Sequence, residues 1–352
     1  MIYPLVNIII ATFNSENKLS LVLESIKKQT YPKNKIKIKV IDGGSKDKTL
    51  KIAKIFGCEI INNLRTEPVY AKFLGYVNSK EGVILYLDHD EIMENENSLK
   101  LKVSLFSNEI KMVIGTGYKT PADYHGINNY INEFGDPFSF FIYRLSKDFR
   151  YFINTMKKRY KVINETKEKV IFDLSSIEAL PIIELCAAGS AVDLKYMKKN
   201  FPQTLKNPSL IPHFFYLLRE KSPILAISKN DPLIHYSSET LRKYLAKIRW
   251  RIKNNIYHAE DMGVSGFGGR NRYDRTVSKY KKYLFLPYAF SIIFPLYDAV
   301  YLSTSRRKMS YLLHLPLTFY AAFLILYHYV LKLLGNRPRL KSYGDSTDIE
   351  LA

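Results

Sequence analysis

The sequence predicts an α/β fold: a doubly wound, mainly parallel sheet with flanking helices, continued by C-terminal helices that associate with a membrane. Three observations predict it. Short apolar runs alternate with helix-period segments through the first ninety residues, acidic or glycine-rich turns follow those runs, and two long apolar stretches lie near the end of the chain.

Val6 to Ala11 (VNIIIA) is a continuous apolar run suited to a strand buried on both faces. Asn14 or Ser15 is placed to cap the next helix, where Leu19, Val22, Leu23 and Ile26 recur at helical spacing. Ile36 to Asp42 (IKIKVID) reads as a second strand that ends in the turn Gly43-Gly44-Ser45. A helix follows from about Asp47 to Phe56, then a third strand near Cys58 to Asn62. Another helix spans about Val69 to Ser79, and Val83 to Leu87 (VILYL) is a fourth strand. Such alternation implies parallel strands with right-handed crossovers, and ligands in such sheets bind beyond the carboxyl ends of the strands.

Residues 1–235 are expected to form the catalytic domain. An aromatic and basic insertion at 120–171, including FGDPFSFFIYRLSKDFRYF (Phe134 to Phe152), interrupts it, and mixed α/β character returns after 171. Residues 236–282 hold a strongly basic helix, Ser237 to about Asn255, and a flexible break at Gly263 to Gly269. Residues 283–335 contain the apolar stretches Tyr283–Leu302 and Tyr311–Leu334, and 336–352 form a polar tail. Each apolar stretch is about long enough to cross a hydrocarbon core of about 30 Å. Pro287, Pro295 and Asp298 interrupt the first, while His314, Pro316 and His328 interrupt the second. Basic residues flank them: Lys279, Lys281 and Lys282 before, Arg306, Arg307 and Lys308 between, and Arg337, Arg339 and Lys341 after. A spanning hairpin would carry the middle cluster across, against the positive-inside tendency, whereas interfacial or re-entrant helices keep all three clusters near anionic headgroups. Interfacial, re-entrant and spanning arrangements remain open at this stage, as do buried soluble helices.

The 352 residues are 47% hydrophobic and 14% aromatic, which excludes a disordered chain. Lys and Arg number 53 against 33 acids, a formal charge of +20 that suggests a polyanionic partner (nucleic acid, anionic lipid or a phosphorylated substrate), with a genome biased toward Lys, Ile and Tyr as the alternative. No nucleic-acid module is visible and the basic residues sit beside apolar segments, so no nucleic-acid partner is expected and an anionic membrane surface is. Cys58 and Cys186, the only cysteines, lack metal-ligand spacing and suit a reducing compartment. The opening MIYPLVNIIIATFN has neither a basic n-region nor a small-residue cleavage site and is not expected to be a signal peptide.

The chemistry-bearing residues follow the strands. Thr12, Asn14 and Glu16 come after the first, Asp42-Gly43-Gly44-Ser45 after the second, and Asp88-His89-Asp90-Glu91 after the fourth. Two carboxylates two residues apart suit a hard divalent cation, Mg²⁺ or Mn²⁺, that bridges a diphosphate; a solvated acidic turn gives the same pattern. Asp42 is placed to accept hydrogen bonds from a base or ribose, although a strand-to-helix turn with an Asx cap reads alike.

Taken together, VNIIIATFN with Glu16, VIDGGSKDKT (Val40 to Thr49) and GVILYLDHDE (Gly82 to Glu91) resemble the family-2 glycosyltransferases, closely over about residues 4–92 and loosely to about 250. The resemblance implies a GT-A fold, a nucleotide-sugar donor and a divalent metal. It implies that Thr12, Asn14, Glu16 and Asp42 hold the nucleoside, that Asp88 contacts nucleotide or sugar, and that Asp90 binds the metal. Lys72, in AKFLG, stands where the family often has Arg, keeping the charge and losing the bidentate fork. CAAGSAVDLKYM (Cys186 to Met197) resembles an acceptor-side segment, after which an acidic general base normally follows. Here LIPHFFYLLRE puts His213 at that point, as a base or as a buried structural histidine, with Glu184 as the fallback base. IHYSSETLRKYLAKIRW (Ile234 to Trp250) resembles a segment with a His before a basic helix ending in Arg-Trp. By that resemblance His235 reaches the metal or diphosphate, Arg249 steadies the leaving diphosphate and Trp250 stacks on the acceptor; a solvated or membrane-facing basic helix is the alternative. The expected activity is inverting transfer from a UDP- or GDP-sugar to a lipid-linked or glycan acceptor at the cytoplasmic face of the cell membrane. A sugar-phosphate nucleotidyltransferase would show a Gly-rich basic loop in place of ATFNSEN, and a non-catalytic membrane scaffold would fit the missing acidic base.

Overall fold

A computed structural model describes residues 3–124, 126–176, 188–237, 240–258 and 278–338. The described residues divide into two compact units, one of residues up to 119 with 149–176 and 188–235, the other of 120–148 and 236 onward.

The first unit begins with β1 (Val6–Thr12), α1 (Glu16–Lys27), β2 (Ile36–Asp42), α2 (Thr49–Ile55), β3 (Glu59–Asn62), α3 (Pro68–Val77) and β4 (Val83–Asp88). It continues with β5 (Glu91–Met93), α4 (Ser98–Ser104), β6 (Ile110–Ile114) and β7 (Gly117–Lys119). A nine-stranded sheet runs β3-β2-β1-β4-β10-β6-β11-β9-β8, and β5, β12 and β7 make a small second sheet. Here β8 is Lys161–Glu165, β9 Lys169–Asp173, β10 Ser190–Asp193, β11 Ile224–Ser228 and β12 Pro232–His235. The first four strands are parallel, β10 runs against both β4 and β6, and β11 is parallel to β6. The sheet is therefore mixed beyond β4, yet β1, β2, β4, β6 and β11 end on one edge. Val6, Ile8, Ile9 and Ile10 are fully buried, as strands covered on both faces require.

The start of α1 departs from the expected cap. Ser15 occupies the N-cap position but its side chain makes no capping bond. The carboxylate of Asp47 accepts from the Glu16 amide at 3.0 Å, and the Thr49 hydroxyl accepts from the Ser15 amide at 2.7 Å. The next loop thus caps this helix. At α3, Glu67 caps the Val69 and Tyr70 amides and Pro68 opens the helix. A Cβ on Gly75 would lie 2.4 Å from an Ile9 methyl, so only glycine lets α3 approach β1 this closely.

The region 120–171 does not act as one insertion. Residues 149–176, with the β8–β9 hairpin, complete the first unit's sheet, and 120–148 join the C-terminal helices. The second unit contains α5 (Gly126–Phe134) and α6 (Pro137–Tyr143), whereas α7 (Phe152–Lys157), α8 (Leu194–Asn200) and α9 (Phe214–Lys221) belong to the first. The second unit ends with α10 (Leu241–Tyr257), α11 (Ser278–Lys281), α12 (Phe285–Phe290), α13 (Ile293–Arg306) and α14 (His314–Leu333). Its core gathers Tyr130, Phe134, Phe140, Tyr244, Leu302 and Tyr311. The polar residues that interrupt the apolar stretches turn into this core. Asp298 accepts from Arg144 and from the Tyr288 hydroxyl, both at 2.6 Å, and His314 lies between the Tyr130 and Tyr288 hydroxyls. Buried Glu133 receives Arg306 at 2.8 Å and the Tyr311 hydroxyl. Among the described residues, Met309–Leu333 is long and apolar enough to cross a membrane, and Lys282–Phe290 with Ile293–Arg306 passes only as a pair bent by 88°. The flexible break at 263–269, Glu184, Cys186 and most of the polar tail lie outside the described residues.

Candidate active site

The carboxyl ends of β1 and β2 build the first half of the site. Asp42 is 3% exposed, and its two carboxylate oxygens accept four hydrogen bonds. The Thr12 hydroxyl donates at 2.9 Å, the Ser45 hydroxyl at 2.5 Å, and the Gly44 and Ser45 amides at 3.0 and 2.8 Å. A buried carboxylate needs such partners. Asn14, in the left-handed region at φ 46°, donates its amide to the Ser45 hydroxyl and accepts from the Lys46 amide at 2.9 Å. Glu16 accepts from the Lys48 amide at 2.9 Å. Thr12, Asn14, Glu16 and Asp42 therefore come together by stitching two loops into one ledge. The Asp42 carboxylate, expected to meet a base or ribose directly, is taken up by that stitching.

The β4 turn is built differently. Lys72, on the second turn of α3 and almost fully buried, places its ammonium 2.7 Å from Asp88. Burial alone would raise the Asp88 carboxyl; Lys72, aided by His89 and His235, outweighs it and holds the group below the usual carboxylate range. Asp90 faces His235, with Oδ2 to Nε2 at 3.7 Å. The pairing of β12 with β5 sets His235 opposite Glu91, and the imidazole stacks on Tyr118 with centroids 4.5 Å apart.

Within Asp88-His89-Asp90-Glu91 the sequence assigns Glu91 no role of its own, and it does not mark Tyr118. Glu91 is fully buried and accepts from the Asp88 amide at 3.0 Å, the Tyr118 hydroxyl at 2.6 Å and the Ala188 amide at 3.2 Å. It ties together the β4 turn, β7 and the segment before β10. Burial, with Asp88 and Asp90 beside it, pushes its carboxyl up to about 8. The available signal was its place directly after Asp90; nothing marked Tyr118.

Asp90 and His235 offer one carboxylate oxygen and one imidazole nitrogen close enough for neighbouring positions on one divalent ion. Among the described residues, no three His, Cys, Asp or Glu side chains converge on such a site. The donor set fits a metal that takes its remaining ligands from a diphosphate and water. His213 ends a 3₁₀ turn before α9, 5% exposed, with its ring near that of Tyr216. Arg249 and Trp250 are half-buried on α10 in the second unit.

Three comparisons with known proteins bear on this arrangement. Residues 7–171 match the model of the family described as glycosyl transferase family 2. The glycosyltransferase AglE of Haloferax volcanii is 32% identical over 93 residues, which are 25% of this chain and 31% of that protein. The matched stretch thus spans about a third of the relative's length. Among solved structures, the mannosyltransferase PcManGT from Pyrobaculum calidifontis, in complex with GDP-Man and Mn²⁺, aligns over 96% of this chain and 89% of its own. Its TM-score is 0.51 at 12% identity, a likeness of fold. TarS 1–349 of S. aureus aligns over 96% and 94% at 13% identity, with a TM-score of 0.47. The central fold is of the GT-A type, as the resemblance in the first ninety residues implies.

Proposed function

Residues 7–171 belong to glycosyl transferase family 2, and from that premise we propose that the chain is an inverting glycosyltransferase that moves a sugar from a UDP- or GDP-sugar to a lipid-linked acceptor. The observation that carries this reading is the facing of Asp90 and His235 beside the Lys72–Asp88 pair at the carboxyl edge of the sheet. The likeness of fold to a mannosyltransferase solved with GDP-Man and Mn²⁺ supports a nucleotide-sugar donor and a divalent metal.

The stitched ledge of Thr12, Asn14, Glu16 and Asp42 shapes the nucleoside site, and Asp88, steadied by Lys72, contacts the nucleotide or sugar. A Mg²⁺ or Mn²⁺ ion held by Asp90 and His235 would neutralise charge on the leaving diphosphate. The acceptor oxygen forms its bond to the anomeric carbon on the face opposite the departing diphosphate, which leaves with the bonding electron pair. His213 receives the proton when the acceptor is a hydroxyl; an ionised phosphate acceptor has none to give. Most of the acceleration comes from positioning and charge stabilisation. The +20 charge and the basic flanks of the apolar helices support work at the cytoplasmic face of the cell membrane.

The test is donor binding and hydrolysis across a panel of UDP- and GDP-sugars with Mn²⁺, with Mg²⁺ and with chelator. Turnover of one donor that chelator abolishes is expected, whereas no binding of any donor under any condition would sink the reading. With a hydroxyl acceptor, His213→Ala should lower transfer about a hundredfold and leave donor hydrolysis within about twofold. An equal loss of both would assign His213 to packing.

A further inference from the structure

We propose that the second unit docks on an anionic bilayer in the plane of the interface, inserting the elbow between α12 and α13 and the outer face of α14 without crossing. This rests on the membrane reading above and settles its geometry. The helix long enough to span, α14, is not a free rod. The basic helix α10 runs alongside it in the same direction: the Tyr320 hydroxyl donates to the Leu245 carbonyl, the Tyr257 hydroxyl to that of His328, and the Lys332 ammonium to that of Ile256. Crossing would draw α10 into hydrocarbon with Arg242, Lys243, Lys247, Arg249, Arg251 and Lys253, and charged side chains at that depth are costly. At its other end α14 buries His314 against the Tyr130 and Tyr288 hydroxyls, a polar cluster that also does not belong in lipid.

Large apolar side chains remain exposed along these helices. Ile293 is 73% exposed, Phe294 62% and Leu333 87%, with Leu326, Tyr327 and Val330 also outward. Phe290 and Phe323 meet edge to face at 5.4 Å and join elbow and helix into one surface. The elbow bends by 88° at Ile292, a β-branched residue held at φ 61°, where L side chains are strained. An exposed, strained corner tipped with Ile and Phe is poorly matched to water and well matched to the acyl boundary. Exposed Arg242, Lys243, Arg251, Arg307 and Lys332 give the same unit the charge that anionic headgroups attract.

The experiment uses the full chain. Flotation with phosphatidylcholine vesicles, with and without phosphatidylglycerol, should show binding that strengthens with the anionic lipid. Ile293→Glu combined with Phe294→Glu should reduce the bound fraction about tenfold and leave donor hydrolysis unchanged. Topology is read in sealed inverted membrane vesicles, with Cys58→Ser and Cys186→Ser as background. Single Thr304→Cys and Asn336→Cys variants should both react with an impermeant maleimide before detergent is added. Protection of the Thr304→Cys site alone would show that the helices span, overturning the in-plane geometry while sparing membrane attachment. If the chain floats with neither vesicle type, the membrane reading fails and this inference fails with it.

Discussion

Two turns on the same edge of the sheet carry carboxylates after buried strands, and the structure treats them in opposite ways. At β2, Asp42 is satisfied four times over by its own loops, so the turn is complete as it stands. At β4, Asp88 is satisfied by a single lysine from α3, and Asp90 faces an imidazole at a distance too long for a hydrogen bond. The first carboxylate organises backbone, whereas the second pair presents charge. Residue type and position after a strand do not separate these roles; the local count of donors does.

The contrast is broken most sharply at Asp90. Asp90→Ala should cost about a thousandfold in metal-dependent turnover of the donor. Its melting behaviour should stay within about 0.5 kcal/mol of the parent, because a side chain that presents charge removes little structure when lost. Turnover and thermal unfolding of the same preparation decide it. A large loss of stability with modest loss of turnover would make the β4 turn a scaffold like the β2 turn.

Asp42→Ala should show the reverse signature. It strips acceptors from two amides and two hydroxyls, one of them fully buried, and should destabilise the chain by about 3 kcal/mol in urea unfolding. Donor affinity should fall as the ledge loosens, with turnover at saturating donor less affected. A stability change under about 0.5 kcal/mol would mean that the turn holds its shape without Asp42, and the distinction between the turns would blur.

The same contrast explains what the sequence disclosed. Strands β1, β2 and β4 were legible because burial on both faces writes a continuous apolar run, and their turns because glycine and aspartate punctuate them. The far half of the sheet was not: β10 is four residues long, and it enters antiparallel between two strands distant in sequence. The cap of α1 was misassigned for a related reason, since Asp47 and Thr49 supply it from the next loop. His235 could be tied to the metal only by resemblance; the pairing of β12 with β5, which turns it toward Asp90, is a tertiary fact. Glu91 was hidden beside its more conspicuous neighbours, since adjacency says nothing about which carboxylate points inward. The interrupting Asp298 and His314 were visible but ambiguous until Arg144, Tyr130 and Tyr288 appeared as their partners.

The smallest effect sharpens the comparison within the β4 turn itself, by asking whether Lys72 alone sets the state of Asp88. Because the folded-state carboxyl lies below its ordinary value, the pair contributes stability at any pH above about 4. That contribution is lost as pH falls through the lowered value. Lys72→Met should remove it across the neutral range, costing about 1 kcal/mol once the partial exposure of Asp88 is allowed for. Without the ammonium, burial raises the carboxyl, so the acid limb of the activity profile should move to higher pH. Lys72→Arg should restore both, since the charge returns even though the guanidinium is broader. An unmoved acid limb in Lys72→Met would show that His89 and His235 already hold Asp88 ionised. The β4 turn would then be self-sufficient in the manner of the β2 turn, and the division between organising and presenting carboxylates would rest on Asp90 alone.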